Sequence, residues 1–297
     1  MNEHPTIDLH CLHLLRLVAK HQGITAASGE AGLSQSALTR QIQLIEARLG
    51  LQLFERSTRR LRITPAGSFL LRETAMVSGL LDSAMRRLKE EFSGEQREIR
   101  IGVSRSVSLA HLPGLFHGQR RHHPEVKILV SHLGGSALLE ALAACRLDLA
   151  VLCPPPRLPE GLELSHRIQD SFVVIAGQSG DAPDEQGWSD WVKTQNWIVP
   201  PTGTRSRDCI DRWWKERKLQ PNVAMEIDSF DVTIQLVALG MGAACVPRRA
   251  LSTFPRKRQI RRIKLPEPMT RELAIVTPKR GSLPEHVRDF IAEILFR

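Results

Sequence analysis

Few side chains in this sequence are spaced to make or break bonds, and many are spaced to read a polyanion. Gln35, Ser36, Thr39 and Arg40 open an amphipathic run whose apolar positions are Leu38, Ile42, Ile45 and Leu49. Presented from the first turns of a helix, such side chains can exchange hydrogen bonds with base edges in a major groove. Four guanidinium groups follow at Arg56, Arg59, Arg60 and Arg62, a density suited to phosphates or to a minor groove. In isolation that run reads as a solvated face; beside a helix pair it reads as part of a nucleic-acid surface. Catalysis lacks its counterparts, because no nucleophile with a base, no paired carboxylates and no metal-ligand cluster occur at legible spacing. The expectation is therefore no enzyme, no cofactor and no metal.

These residues need elements to hold them. Leu9, Leu12, Leu14, Leu15 and Val18 recur at helical spacing and define a first helix, with Gly23 as its C-cap. Thr25 sits where the N-cap of a second helix belongs, Gly32-Leu33 reads as a tight turn, and Ser34 caps a third helix from Gln35 to about Leu49, stopped by Gly50. Two short helices joined through a glycine turn are what a helix-turn-helix requires. Leu53–Ile63 alternates around a polar turn and reads as a β-hairpin wing. Thr64-Pro65 supplies an N-cap and a first-position proline for one long helix to about Phe92. On it Leu70, Val77 and Ala84, and, offset by four, Thr74, Leu81 and Leu88, form a heptad seam that predicts pairing with a second copy of the chain.

Beyond a charged linker, Glu90–Glu98, the pattern changes to alternating strands and helices, which indicates parallel α/β units. Expected first are a strand at Ile99–Val103, a helix at Val107–Arg121, a strand at Val126–His132, a helix at Ser136–Cys145 and a strand at Asp148–Leu152. Pro154-Pro155-Pro156 ends this set. A second set has strands at Leu162–Ser165, Phe172–Ala176, Trp197–Val199, Val223–Ile227 and Ala243–Val246, with helices at Ser206–Lys218 and Phe230–Leu239. A strand at Glu272–Val276 and a helix at Pro284–Phe296 return to the first set. This predicts two lobes with a ligand cleft between them. Ser104-Arg105-Ser106, Gly134-Gly135-Ser136 and Thr202-Gly203-Thr204-Arg205-Ser206 each place hydroxyls and free backbone N–H groups at a helix start, which favours an anionic ligand.

Bulk properties set the outer limits. The 297 residues exceed what one core usually serves, and 42% apolar with 25% charged residues suits a soluble protein with no membrane span. Met1–His13 lacks a basic region and an unbroken apolar run, so a cytoplasmic location is expected. Five scattered cysteines without a CxxC pair point to reduced thiols. A net charge of +9 is compatible with a nucleic-acid partner.

The order Ala27, Leu33-Ser34-Gln35, Ala37-Leu38-Thr39-Arg40-Gln41-Ile42, Glu46, Leu49-Gly50, Leu53-Phe54, Arg56, Thr64-Pro65-Ala66-Gly67 resembles the signature of LysR-type transcriptional regulators. Ser36 and Ala31 depart from its usual Pro and Leu, and Gly29 lies inside the second helix. The resemblance implies a fold: an all-α winged helix-turn-helix (residues 1–65), a linker helix for dimerisation (66–92) and a two-lobed α/β effector domain (98–297). That domain would be like those of periplasmic binding proteins, with lobe I at 98–160 and 267–297 and lobe II at 161–266. DNA contacts are then expected from Thr25, Ser34, Gln35, Ser36, Thr39, Arg40, Arg56, Arg59, Arg60 and Arg62, and effector contacts from Ser104, Ser106, Ser136, Thr202 and Thr204. The implied partners are double-stranded promoter DNA, a small-molecule effector and further copies, as a homodimer and then a homotetramer. A two-lobed solute-binding protein and a DNA-bending protein that senses nothing are the alternatives.

Other features read as structural. His117, His122 and His123 lack carboxylate or thiol partners at ligand spacing. Cys245 lies in an apolar strand, where thiols are usually inert, which weighs against a redox pair with Cys209. The five tryptophans cluster in one lobe as core. The run Arg256–Lys264 reads as an edge strand kept soluble by charge rather than as a second DNA contact.

Overall fold

The computed structural model describes residues 7–56, 61–107, 111–116, 124–178, 183, 187–279 and 283–293. Arg59 and Arg60, and the three histidines at 117, 122 and 123, lie outside them. The chain divides into two compact units, Met1–Ser93 and Gly94–Arg297.

In the first unit α1 (Leu9–His21), α2 (Ile24–Ala31) and α3 (Gln35–Leu49) bury Leu14, Leu15, Val18, Ala27, Leu38, Ile42 and Ile45 in one core. Ser34 caps α3 by accepting from Ala37 N, and Gly50 ends it in the left-handed conformation at φ 66°. The junction of α1 and α2 differs from expectation. Gln22, at φ 50°, is the left-handed residue, while Gly23 is extended and is the N-cap of α2 without a side-chain bond. Thr25 therefore caps nothing, because starting at Ile24 lets that side chain pack on the core.

β1 (Phe54–Arg56) and β2 (Leu61–Ile63) pair antiparallel with Glu55 opposite Arg62. The expected single long helix is two, α4 (Pro65–Glu73) and α5 (Ala75–Phe92), parted at Thr74. The Thr74 hydroxyl donates to the Leu70 carbonyl at 2.7 Å, a back-bond that bends helices. Arg16 Nη2 donates to the carbonyls of Thr74 and Ala75 at 3.5 and 3.3 Å, serving backbone acceptors at the break. Along α5, Val77, Leu81 and Leu88 are 50%, 43% and 50% exposed.

Among the described residues the second unit has nine strands: β3 (Glu98–Ser104), β4 (Lys127–Leu133), β5 (Leu149–Leu152), β6 (Leu162–Gly177), β7 (Asn196–Val199), β8 (Asn222–Glu226), β9 (Ala243–Pro247), β10 (Ile260–Ile263) and β11 (Thr270–Pro278). Their order is β4-β3-β5-β11-β6-β9-β7-β8, with β10 also on β6. β3 runs parallel to β4 and β5, and β7 runs parallel to β8 and β9, as the βαβ pattern requires.

β6 is one strand where the sequence pattern predicts two. Leu162–Ser171 pairs with β11, and Phe172–Gly177 pairs with β9 and β10, so the strand passes from one lobe into the other. Its exposed Ser165, His166 and Arg167 interrupt the apolar pattern without interrupting the ladder. The helices are α6 (Leu112–Phe116), α7 (Gly135–Ala143), α8 (Trp188–Thr194), α9 (Arg205–Glu216), α10 (Phe230–Ala238) and α11 (Glu285–Ala292). α8 was not legible as a helix; it anchors Trp188 against Trp213 and Trp191 against Trp197 in the lobe II core. No helix among the described residues is long and apolar enough to cross a membrane.

Candidate functional site

The capped start of α3 stands out of the first unit. Ser34, Gln35, Ser36 and Arg40 are exposed and Thr39 is half-buried, while Leu38 and Ile42 behind them are sealed in the core. Ser34 Oγ also lies 3.1 Å from Ser36 Oγ, so the cap residue is oriented as well as exposed. Thr25 is exposed in the first turn of α2.

A residue of α3 fixes the hairpin to the helix. Glu46 Oε1 accepts from the backbone N–H groups of Leu53 and Phe54 at 2.8 and 3.0 Å, where the wing begins. On its other side Gly67 of α4 closes against the wing: a Cβ there would stand 2.4 Å from the Leu53 carbonyl and 2.8 Å from Ile63. Arg62 is exposed on β2. Arg56 ends β1, and Arg59 and Arg60 lie outside the described residues. The polar helix start and the arginine-bearing strand thus belong to one packed body.

In the second unit three loops from distant parts of the sequence meet around a cavity of about 490 Å³. Ser104 ends β3 and Ser106 follows it, Gly134-Gly135-Ser136 opens α7, and Gly203-Thr204-Arg205 opens α9; Ile227, Asp228 and Phe230 complete the wall. Four of the five hydroxyl residues expected there line it. Thr202 does not: its hydroxyl donates to Glu226 Oε1 at 2.9 Å. That bond, with Arg207, holds the Glu226 carboxyl below its ordinary range.

The lining hydroxyls are not equivalent. Thr204 caps α9 by accepting from Arg207 N and donates to the Pro201 carbonyl at 2.8 Å, so its hydrogen is already used. Ser104 Oγ and Ser106 Oγ lie 3.0 Å apart and share one hydrogen. Ser136 caps nothing, since the N-cap of α7 is Gly134 without a side-chain bond. Arg105 and Arg205 add two cations to the wall, against one carboxylate, Asp228, which pairs with Arg105 at 2.7 Å across the lobes.

Beneath the cavity lies a group that sequence reasoning missed. Arg271 of β11, 6% exposed, donates through Nε to Asp170 at 2.9 Å, through Nη1 to Ser206 Oγ at 2.7 Å and through Nη2 to the Ser106 carbonyl at 2.9 Å. Its guanidinium lies 5.3 and 5.1 Å from the ring centroids of Phe172 and Phe230. Burial pushes the Asp170 carboxyl up, but His111 and Arg271 outweigh it and hold it below its ordinary value. Ser106 comes from lobe I, Ser206 and Phe230 come from lobe II, and two of the three line the cavity, so one side chain spans the junction. A charged residue in an apolar strand was the available signal; its partners, far away in sequence, were not legible.

The thiols show no activation: burial pushes both Cys209 and Cys245 up, away from the thiolate that redox exchange needs. No group of three or more His, Cys, Asp or Glu among the described residues could hold a metal ion.

Comparison with known proteins covers both units. The family description "Bacterial regulatory helix-turn-helix protein, lysR family" matches residues 9–68, and "LysR substrate binding domain" matches residues 92–295. The HTH-type transcriptional activator IlvY of Haemophilus influenzae is 28% identical over 277 residues, covering 91% of this chain and 94% of its own. The transcriptional dual regulator GltC of Bacillus subtilis is 24% identical, covering 96% and 95%. The crystal structure of CbnR, a LysR family transcriptional regulator, superposes with a TM-score of 0.69 at 20% identity, covering 97% of this chain and 98% of CbnR; it shares the fold. With an exposed, capped helix start on one unit, a two-lobed cavity in the other, and family matches over both, the chain belongs to the LysR family: it is a DNA-binding transcription regulator with an effector-binding domain.

Proposed function

We propose that the start of α3 reads base edges in promoter DNA, with Gln35, Ser36, Thr39 and Arg40 as the readers and Ser34 as cap and backbone contact. Arg56, Arg59, Arg60 and Arg62 bind phosphates or the minor groove, and Thr25 contacts the backbone beside them. The observation that carries this is the exposed polar turn at Ser34–Arg40 on a body whose wing is tied to the same helix by Glu46. Removing a base-reading side chain should relax sequence preference by roughly 1–3 kcal/mol without weakening non-specific binding. Gln35→Ala tests this in a binding-site selection; an unchanged preference would exclude Gln35 as a reader.

The effector is a small anion held in the cavity by Ser104, Ser106, Ser136 and Thr204, drawn by Arg105, Arg205 and the free N–H groups at the start of α7. Closing the lobes around it alters how the protein sits on DNA. A thermal-shift screen with small carboxylates and amino acids should raise the melting temperature of the wild type, and less so that of Ser136→Ala. The domain limits follow as helix-turn-helix 1–65, linker helix 66–92 and effector domain 98–297. The exposed Val77, Leu81 and Leu88 stripe on α5 supports self-association as a dimer and then a tetramer. The protein works in the cytoplasm, where its DNA is, and carries out no catalysis; sensing and binding are its whole chemistry.

A further inference from the structure

The sharpest segregation of charge in the chain belongs to neither site. Of 41 Lys and Arg, eight fall between Arg248 and Lys264, and no Asp or Glu occurs from Val232 to Pro266. Outside that stretch the chain is balanced, with 33 cations against 32 carboxylates, so one segment supplies nearly all of the net +9.

The fold leaves six of these charges exposed. Lys257–Gln259 forms an exposed 3-10 turn leading into β10, which pairs with β6. Ile260 and Ile263 turn into the core, leaving Arg256, Lys257, Arg258, Arg262 and Lys264 exposed, with Arg248 exposed after β9. None of these six forms an ion pair with a described residue. Elsewhere on the same unit some exposed cations are paired, as in Arg167 with Glu272 and Lys127 with Glu98, and single ones such as Arg157, Arg212 and Lys279 are scattered along the sequence.

Protecting a sheet edge needs only a charge or two. A row of like charges repels itself, and a polyanion laid along it relieves that repulsion. A protein partner would want an apolar or aromatic centre in the patch, and here the apolar residues of the run, Ile260 and Ile263, are buried. A phosphate backbone needs no such centre, and this chain already binds DNA. We propose that Arg248 and the Arg256–Lys264 segment form a second, sequence-independent contact to the phosphate backbone of duplex DNA.

The test uses the full-length protein and fluorescence anisotropy on a labelled mixed-sequence duplex of about 60 base pairs, titrated from about 50 to 200 mM salt. The triple variant Arg256→Ser, Lys257→Ser, Arg258→Ser should lower the slope of log affinity against log salt by about 2–3 and weaken binding at the low-salt end by roughly tenfold or more. Arg157→Ser, Arg212→Ser, Lys279→Ser, an equal loss of net charge on other exposed positions, should leave the slope unchanged. Lys257→Glu alone, at an exposed turn position, should weaken binding with the fold intact by circular dichroism. Gln35→Ala is read by sequence preference in a binding-site selection, which the patch does not enter, so failure of the patch and failure of the α3 reading are visible separately. An unaltered slope in the patch triple, or equal losses in both triples, would overturn the proposal; the first result would leave the patch to an acidic protein partner.

Discussion

The residues proposed for base and wing contacts fall between Thr25 and Arg62, whereas the cavity collects side chains from Ser104 to Phe230 and rests on Arg271. In the first unit, caps and turns close bonds over three or four positions, such as Ser34 to Ala37 and Thr64 to Gly67. In the second, the decisive bonds join Arg271 to residues 65, 101 and 165 positions away. Local bonding makes a recognition element that a few residues specify and that tolerates changes elsewhere. Non-local bonding makes a site whose parts can shift together, which is what a sensor requires.

That contrast can be broken most severely at Arg271. Arg271→Met removes one partner of a buried ion pair and should destabilise the second unit by about 3–5 kcal/mol. All five tryptophans lie in that unit, so their fluorescence in a denaturant titration reports it alone. An unchanged transition would show that the network does not hold the lobes together.

A smaller effect is expected at the cap of α3. Ser34→Ala should cost about 1 kcal/mol in the first unit, read as helical circular dichroism, with no change in the tryptophan transition. Coupled losses in both signals would argue against separate units.

The finest test is acid. Asp170 is held below its ordinary value of 3.8 in the folded state. Its contribution is therefore fully present above that value and is lost as pH falls through the lower, folded one. The stability advantage of wild type over Asp170→Asn should stay level from neutral pH to about 4, then narrow on further acidification. A gap that widens in acid would contradict the assignment.

Much of the first unit was legible because its signals are short-range. Ser34, Gly50, Thr64 and Pro65 cap and end helices through their own backbone neighbours. Misreadings came where packing overrode the local signal: burial of Ile24 displaced the Thr25 cap, and Thr74 with Arg16 divided a helix that periodicity made continuous. In the second unit the alternation of strands and helices is legible, but β6 reads as two strands because its solvent-facing middle carries no apolar period. The cavity loops are legible by residue type, but only the fold shows Glu226 beside Thr202.

From the sequence alone came the starts of α3 and α4, the wing, the two-lobed pattern and the family resemblance, since each rests on propensities and bonds that neighbouring residues satisfy. The tertiary structure alone decided which hydroxyls remain free, where β6 crosses between lobes and that Arg271 joins them. Those outcomes depend on which distant polar groups share a buried volume, where each must find a partner or stay ionised at high cost, and spacing along the chain does not encode that meeting.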